Sequence, residues 1–170
     1  SNGTGTIICA GEVTTIGEKT FYECKNLTSV TIPNSVTTIG EQAFCVCSGL
    51  TSITIPQSVT TIGETAFEGS STNLTSIVVA SGNPKYDSRD NCNAIVETAT
   101  NTLILGCKNT KIPNNITTIG RSAFDGCSDL KDITLPNSVT TIGRSAFWEC
   151  KSLTAITLPS SVTSIGMNAF

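Results

Sequence analysis

Eight cysteines and no histidine set the first limits on what chemistry this 170-residue chain can do. Without His there is no Ser-His-Asp or Cys-His nucleophile, no His-bearing zinc site and no histidine pH switch. Eight thiols still admit a disulfide framework or a Cys-ligated metal. Their spacing argues against both for most of them. Cys24, Cys47, Cys127 and Cys150 each stand three residues after a phenylalanine, with Ser70 in the same slot after Phe67. A Ser in the series puts size ahead of sulfur chemistry, and free Cys serves well as a small buried hydrophobe. Cys45-x-Cys47 is the one close pair and is too tight for zinc, so neither metal nor cofactor is expected. Cys45 follows Phe44 directly, where other units carry Tyr22, Glu68, Asp125 and Trp148. That slot predicts an exposed thiol, open to reaction or to an intermolecular link.

The carboxylates offer less. Asp87-Ser88-Arg89-Asp90 lacks the alternating pattern of a calcium loop and reads better as Asx turns. Nothing sets two acids apart as the pair a glycoside hydrolase needs. Ten Lys+Arg against thirteen Asp+Glu give a net charge of −3, with no basic cluster. That balance argues against nucleic acid or an anionic membrane surface as a partner. Residues 1–80 hold two of the basic and six of the acidic side chains, so the chain has a lengthwise polarity. No apolar run approaches the ~18 residues of a membrane span, so no membrane insertion is expected. Charged residues are only 14% and aromatics 5%, so Thr, Ser, Asn and Gly must supply the polarity.

These residues are positioned by a repeat. Ile16, Ile39 and Ile62 recur every 23 residues, as do Ile119, Ile142 and Ile165, each followed by Gly. Phe21, Phe44 and Phe67 keep the same period, and so do Phe124, Phe147 and Phe170. One unit reads Leu50-x-x-Ile53-x-Ile55-Pro56-x-Ser58-Val59-Thr60-x-Ile62-Gly63-x-x-Ala66-Phe67. Leu50, Ile53 and Ile55 alternate with Ser52 and Thr54, the pattern of a strand with one buried face. Pro56 ends that strand, since it cannot donate to a ladder. Val59 and Ile62 bury the next side of the coil, and Ala66-Phe67 closes it. A unit of this size cannot bury its own apolar edge, so neighbours must stack and share a core. A period in the twenties with Leu-x-x-Ile-x-Ile alternation marks a leucine-rich-repeat solenoid. The expected shape is a horseshoe or arc, with a parallel β-sheet on the concave face and short helical or irregular turns elsewhere. A single domain, 1–170, then holds about six turns, the first and last partial. Cys9 falls in the core slot of Ile32. Neither end carries a polar capping repeat or a signal peptide, which points to a piece of a longer repeat protein.

The unit Leu-x-x-Ile-x-Ile-Pro-x-Ser-Val-Thr-x-Ile-Gly-x-x-Ala-Phe-x-x-Cys resembles the BspA-like, or Treponema-type, leucine-rich repeat. The resemblance implies a bacterial or protist surface or secreted protein, with an adhesin's role toward host matrix proteins or other microbes.

Ile62 and Ile119 stand 57 residues apart, so an insertion of about residues 81–110 breaks the series. Ala94–Glu97 and Thr102–Leu105 flank Thr98–Asn101 and predict a β-hairpin with a four-residue loop. Pairing Glu97 with Thr102 places Cys92 opposite Cys107, within disulfide reach, so one bridge is expected there. The hairpin should either decorate one face or serve binding.

The outward positions of each strand form the expected ligand surface: Ser29 and Thr31, Ser52 and Thr54, Ser76 and Val78, Asp132 and Thr134, Ala155 and Thr157. Rows of small hydroxyls with few Arg or aromatic anchors suit a broad, shallow contact with protein or glycan, strengthened by repetition. The expected role is thus a non-catalytic binding or adhesion module, extracellular or at the cell surface, whose open ends permit end-to-end or side-by-side self-association. Two other roles stay open: a spacer that holds another domain away from the cell, and an enzyme whose site lies in flanking sequence.

Overall fold

The computed structural model describes residues 6–8 and 12–170. Thirteen short strands follow one another: β1 (Thr6–Ile8), β2 (Thr15–Ile16), β3 (Ser29–Thr31), β4 (Thr38–Ile39), β5 (Ser52–Ile55), β6 (Thr61–Ile62), β7 (Ser76–Val79), β8 (Tyr86–Asp87), β9 (Ile95–Glu97), β10 (Thr102–Leu105), β11 (Thr118–Ile119), β12 (Thr141–Ile142) and β13 (Ser164–Ile165). The chain is a repeat solenoid with parallel sheets and almost no helix. Like positions of successive units stack in register: Ile16 beside Ile39, Ile39 beside Ile62, Ile119 beside Ile142, and Ile142 beside Ile165. On the other side of the coil β1 pairs with β3, Thr6 beside Ser29, and β5 pairs with β7 from Ser52–Ser76 to Ile55–Val79. Cys9 lies outside the described residues.

The Thr-Ile strands are only two residues long, yet each coil is tied to the next on two sides. Gly40, Gly63 and Gly143 donate backward to the carbonyls of Ile16, Ile39 and Ile119, each at 2.8 Å. In the turns, Phe21, Phe44, Phe124 and Phe147 donate forward to Ala43, Ala66, Ala146 and Ala169. The rings therefore stack, Phe21–Phe44–Phe67 at 5.1 and 5.4 Å and Phe124–Phe147–Phe170 at 5.1 and 5.5 Å between centroids, buried except at the ends, where Phe21 is half-buried and Phe170 exposed. Each ring shields its neighbour, which is how one aromatic per coil closes a core. The turns are hydrogen-bonded turns rather than helices. The sole helical piece among the described residues is a 3-10 turn at Arg89–Asn91, inside the insertion.

The inserted hairpin is built into the stack. β9 and β10 pair antiparallel with Glu97 opposite Thr102, as the spacing predicts, and β8 adds antiparallel to β9. β10 then runs parallel to β11, Leu103 beside Ile119, so it takes the place of a Thr-Ile strand. Tyr86 is buried, and its hydroxyl accepts from the Ile62 amide at 3.0 Å, plugging the edge of β6.

Two expectations fail here for one reason each. Leu103 faces Val96, but Leu105 faces Ile95, so a bulge at Ile104 shifts the register by one residue. Cys92 and Cys107 are consequently not opposed; both thiols are free and buried, in separate apolar clusters, and the expected bridge is absent. The row of strand faces also stops at β7. The Ile77 and Val79 amides at its outer edge donate to Asn93 Oδ1 (2.6 Å) and Ser88 Oγ (2.9 Å) of the insertion. The β7 edge is thus capped, and beyond the insertion the corresponding segments at 132–135 and 155–158 are not strand-paired.

Candidate functional site

Two surfaces can meet a ligand. The first is the strand face predicted from sequence. Thr31, Thr54, Ser76 and Val78 are exposed on β3, β5 and β7, with Val78 44% accessible; Ser29 and Ser52 are half-buried. Strand pairing sets Ser52 against Ser76 and Thr54 against Val78. Asp132, Thr134, Ala155 and Thr157 are exposed as well, but on unpaired segments beyond the insertion. There Asp132, Ile133 and Thr134 line a separate hollow of about 300 Å³ with Lys111, Ile112 and Asn114. The ten positions thus form two patches: the first lies on two neighbouring two-stranded sheets, β1–β3 and β5–β7, and the second is not strand-paired.

The second surface was not singled out in the sequence. The residue after each repeat Phe stacks turn upon turn, so Tyr22, Cys45, Glu68, Asp125 and Trp148 form one row along the solenoid axis. Amide bonds of the next residue hold the row together: Glu23 to Cys45, Val46 to Glu68 and Gly126 to Trp148. That next position is left-handed in every turn, with φ of 55° at Glu23, 57° at Val46, 69° at Gly69, 75° at Gly126 and 57° at Glu149. Glycine occupies it only at the third and fourth of these five turns. There a Cβ on Gly126 would stand 3.3 Å from Thr72 Oγ1 and 3.4 Å from the Gly69 carbonyl. Bare backbone at these two turns leaves a hollow of about 600 Å³, with Tyr22 and Trp148 at its rim and Glu68 and Asp125 between them.

Asp125 is buried, 7% accessible, and a Gly69 amide bonds its carboxylate. Burial first, then the charges of Glu68 and Glu149, push its carboxyl up to about 6, against the opposing Gly69 bond. Ser122 Oγ lies 3.4 Å from Glu68 Oε1. Lys151 of the rim is engaged with Glu149 at 2.8 Å. Among the described residues no Lys or Arg pairs with Glu68 or Asp125.

Cys45 lies in the same row but is only 4% accessible, which corrects the expectation of an exposed thiol. Its side chain is too short to clear the longer Tyr22 and Glu68 on either side. Burial, then the charges of Glu68, Asp125 and Glu23, push its thiol up to about 11. The Cys/Ser slot three residues after Phe has a bonding role besides its size. Cys47 Sγ donates to the Phe21 carbonyl at 3.0 Å, Cys150 Sγ to Phe124 at 3.2 Å, and Ser70 Oγ makes the same bond to Phe44. The slot takes a small donor, and Cys and Ser both qualify. Among the described residues no three Cys, Asp or Glu side chains converge as metal ligands would.

The model of the BspA type leucine-rich repeat region matches residues 4–96 and 102–170, in six copies. The chain belongs to the BspA-type leucine-rich repeat family. This BspA-type chain is 31% identical to a leucine-rich cell surface protein of Faecalibacterium prausnitzii, with a TM-score of 0.71 over 97% of this chain and 50% of that one. A leucine-rich repeat protein of Eubacterium ventriosum gives 28% identity and a TM-score of 0.61 over 90% and 53%. The pneumococcal vaccine antigen PcpA gives 25% and 0.69 over 91% and 45%. The chain spans about half the length of these solved relatives. No curated protein matches it in sequence. Among the described residues no helix is long and apolar enough to cross a membrane.

Proposed function

We propose that this BspA-type solenoid is a non-catalytic binding module of a surface or secreted protein, which adheres to protein or glycan through its strand face. One observation carries the reading. β3, β5 and β7 bury Val30, Ile53 and Ile77 on one side and hold Thr31, Thr54, Ser76 and Val78 open on the other. Small hydroxyls on strands paired in two adjacent sheets are fixed in place without much side-chain entropy left to lose, so many weak contacts can add. The surface neighbour from F. prausnitzii and the antigen PcpA support an extracellular setting. The test is binding of the purified chain to immobilised extracellular-matrix proteins and to a glycan array. Saturable binding to a subset supports the reading. Silence across both panels would favour a spacer that only holds other domains apart.

A further inference from the structure

We propose that the turn-edge hollow between Tyr22 and Trp148 is a docking site for an extended basic segment of a partner protein, whose Lys or Arg side chains meet Glu68 and Asp125. The inference rests on the reading of the chain as a binding module, but it places this contact on a different face.

Three independent features favour that occupant. The first is shape. Five stacked turns separate Tyr22 from Trp148 by four steps of about 4.8 Å, roughly 19 Å in all. An extended chain covers that in about six residues. The hollow between is held open by Gly69 and Gly126, whose left-handed backbone is kept in all five turns although only these two lack a side chain.

The second is charge. Glu68 and Asp125 face one another across neighbouring turns with Glu149 close by; Lys151 of the rim is taken by Glu149, and Arg121, which lines a separate hollow with Glu68, pairs with Glu64 at 3.9 Å. Asp125 is held in this like-charged surround while buried, an arrangement that a cation from outside would relieve. The acidic half of the chain, residues 1–80, supplies three of the five turns, so its field steers a basic partner toward the same edge.

The third is the rim. Tyr22 is 42% and Trp148 43% accessible, the two large aromatics that the core does not use. Both suit cation–π contact with Lys or Arg, and both belong to the residue types that anchor protein interfaces. A neutral glycan could stack on the same rings but would gain nothing from the uncompensated carboxylates.

Docking then depends on pH through Asp125, which faces Glu68 and Glu149 and lies near the Cys45 and Cys150 thiols. Protonation in mild acid removes half the paired negative charge from the floor, so affinity falls as pH drops.

A short fluorescent peptide alternating Lys and Ser tests this by polarisation at low salt, with neutral and Glu-containing counterparts. We expect saturable binding of the basic peptide alone, weaker at pH about 5 than at pH about 7.5. A Glu68→Gln/Asp125→Asn variant should bind at least ~10-fold more weakly and Trp148→Ala at least ~3-fold. A Glu12→Gln/Glu97→Gln variant has the same net charge with the hollow intact, and should bind as the parent does. Circular dichroism checks that each variant is folded. Equal loss in both charge variants means bulk attraction and overturns the proposal. So does a neutral oligosaccharide that binds in a Trp148-dependent way while the basic peptide does not. Since the peptide is none of the ligands that probe the strand face, either surface can fail without the other.

Discussion

The methyl group that Gly106 lacks would stand 2.3 Å from Cε1 and 2.5 Å from Cζ of Phe124. Gly106 thus lies flat on the first ring of the second aromatic ladder, at the point where the insertion hands the chain back to the repeat. Its amide donates to Ala123 at 2.8 Å, and its carbonyl accepts from Ser71 Oγ at 2.9 Å. The backbone is pinned from both sides and cannot retreat. Gly106→Ala must therefore push Phe124 off its stack with Phe147. The expected cost is about 3 kcal/mol, a fall in Tm of roughly 6–12 °C for a chain of this length, read by thermal denaturation.

The left-handed slot of the turns makes a prediction in both directions. Glu23 sits at φ 55° on the surface, where its ion pair with Lys25 at 3.6 Å is exposed. Left-handed backbone costs a non-glycine about 1–2 kcal/mol, partly offset by the freer unfolded chain that Gly brings. Glu23→Gly should raise stability by about 0.5–1 kcal/mol. Gly126→Ala, at φ 75° and against Thr72, should lower it by about 1–2 kcal/mol. Denaturant melts of the two variants should move to opposite sides of the parent.

Burial governs the thiols. It pushes Cys45 and Cys92 up to about 11, and Cys47, Cys127 and Cys150 up to about 12. The thiolate is the reactive form, so at pH about 7.5 a thiol raised from 9 to 11 is roughly a hundredfold less available. In a Cys9→Ser background, these five thiols should resist alkylation in the native chain and react at once in guanidinium. Intact mass should also show Cys92 and Cys107 reduced in the folded protein. Rapid labelling of Cys45 would contradict its burial.

Asp125 makes a contribution to stability that falls as pH rises, opposite in sign to that of Glu41, whose carboxyl is lowered by its Thr65 hydrogen bond. Its carboxyl is raised to about 6 from 3.8, so between those values the folded state binds more protons than the unfolded one. Stability from this group is therefore complete below pH about 4 and declines as pH rises through about 6. Screened by the solvent that reaches the hollow, the loss at neutral pH is on the order of 1–2 kcal/mol. Asp125→Asn should raise Tm at pH about 7.5, change it little at pH about 4, and flatten the slope between.

What could be read from sequence is what a repeat makes redundant. Ile39 announces its place beside Ile16 because the same residue recurs at the same spacing, and a stack of identical coils has few other registers. Glu97 opposite Thr102 was legible in the same way, from a short turn between two apolar runs. The misreadings lie where a single residue decides. A bulge at Ile104 has no signature of its own, yet it carries Cys107 away from Cys92. Asn93 and Ser88 cap β7 from a distance in sequence, so the strand row ends there, and no strands form at Asp132 and Ala155. Cys45 is covered by its neighbours rather than by its own type. The hollow at Asp125 arises from Gly69 and Gly126, in a slot that Glu23, Val46 and Glu149 fill in the other turns, so no recurring residue marks it.

The strand face is the central claim, and charge introduced onto it tests that claim most directly. Thr31→Glu and Thr54→Glu change exposed positions on β3 and β5, so circular dichroism and Tm should stay near the parent. The affinity of the double variant for whichever matrix protein or glycan the parent binds should fall at least ~10-fold, since two desolvated charges would meet no partner. Unchanged affinity in the folded double variant would contradict the account and move the binding surface elsewhere on the solenoid.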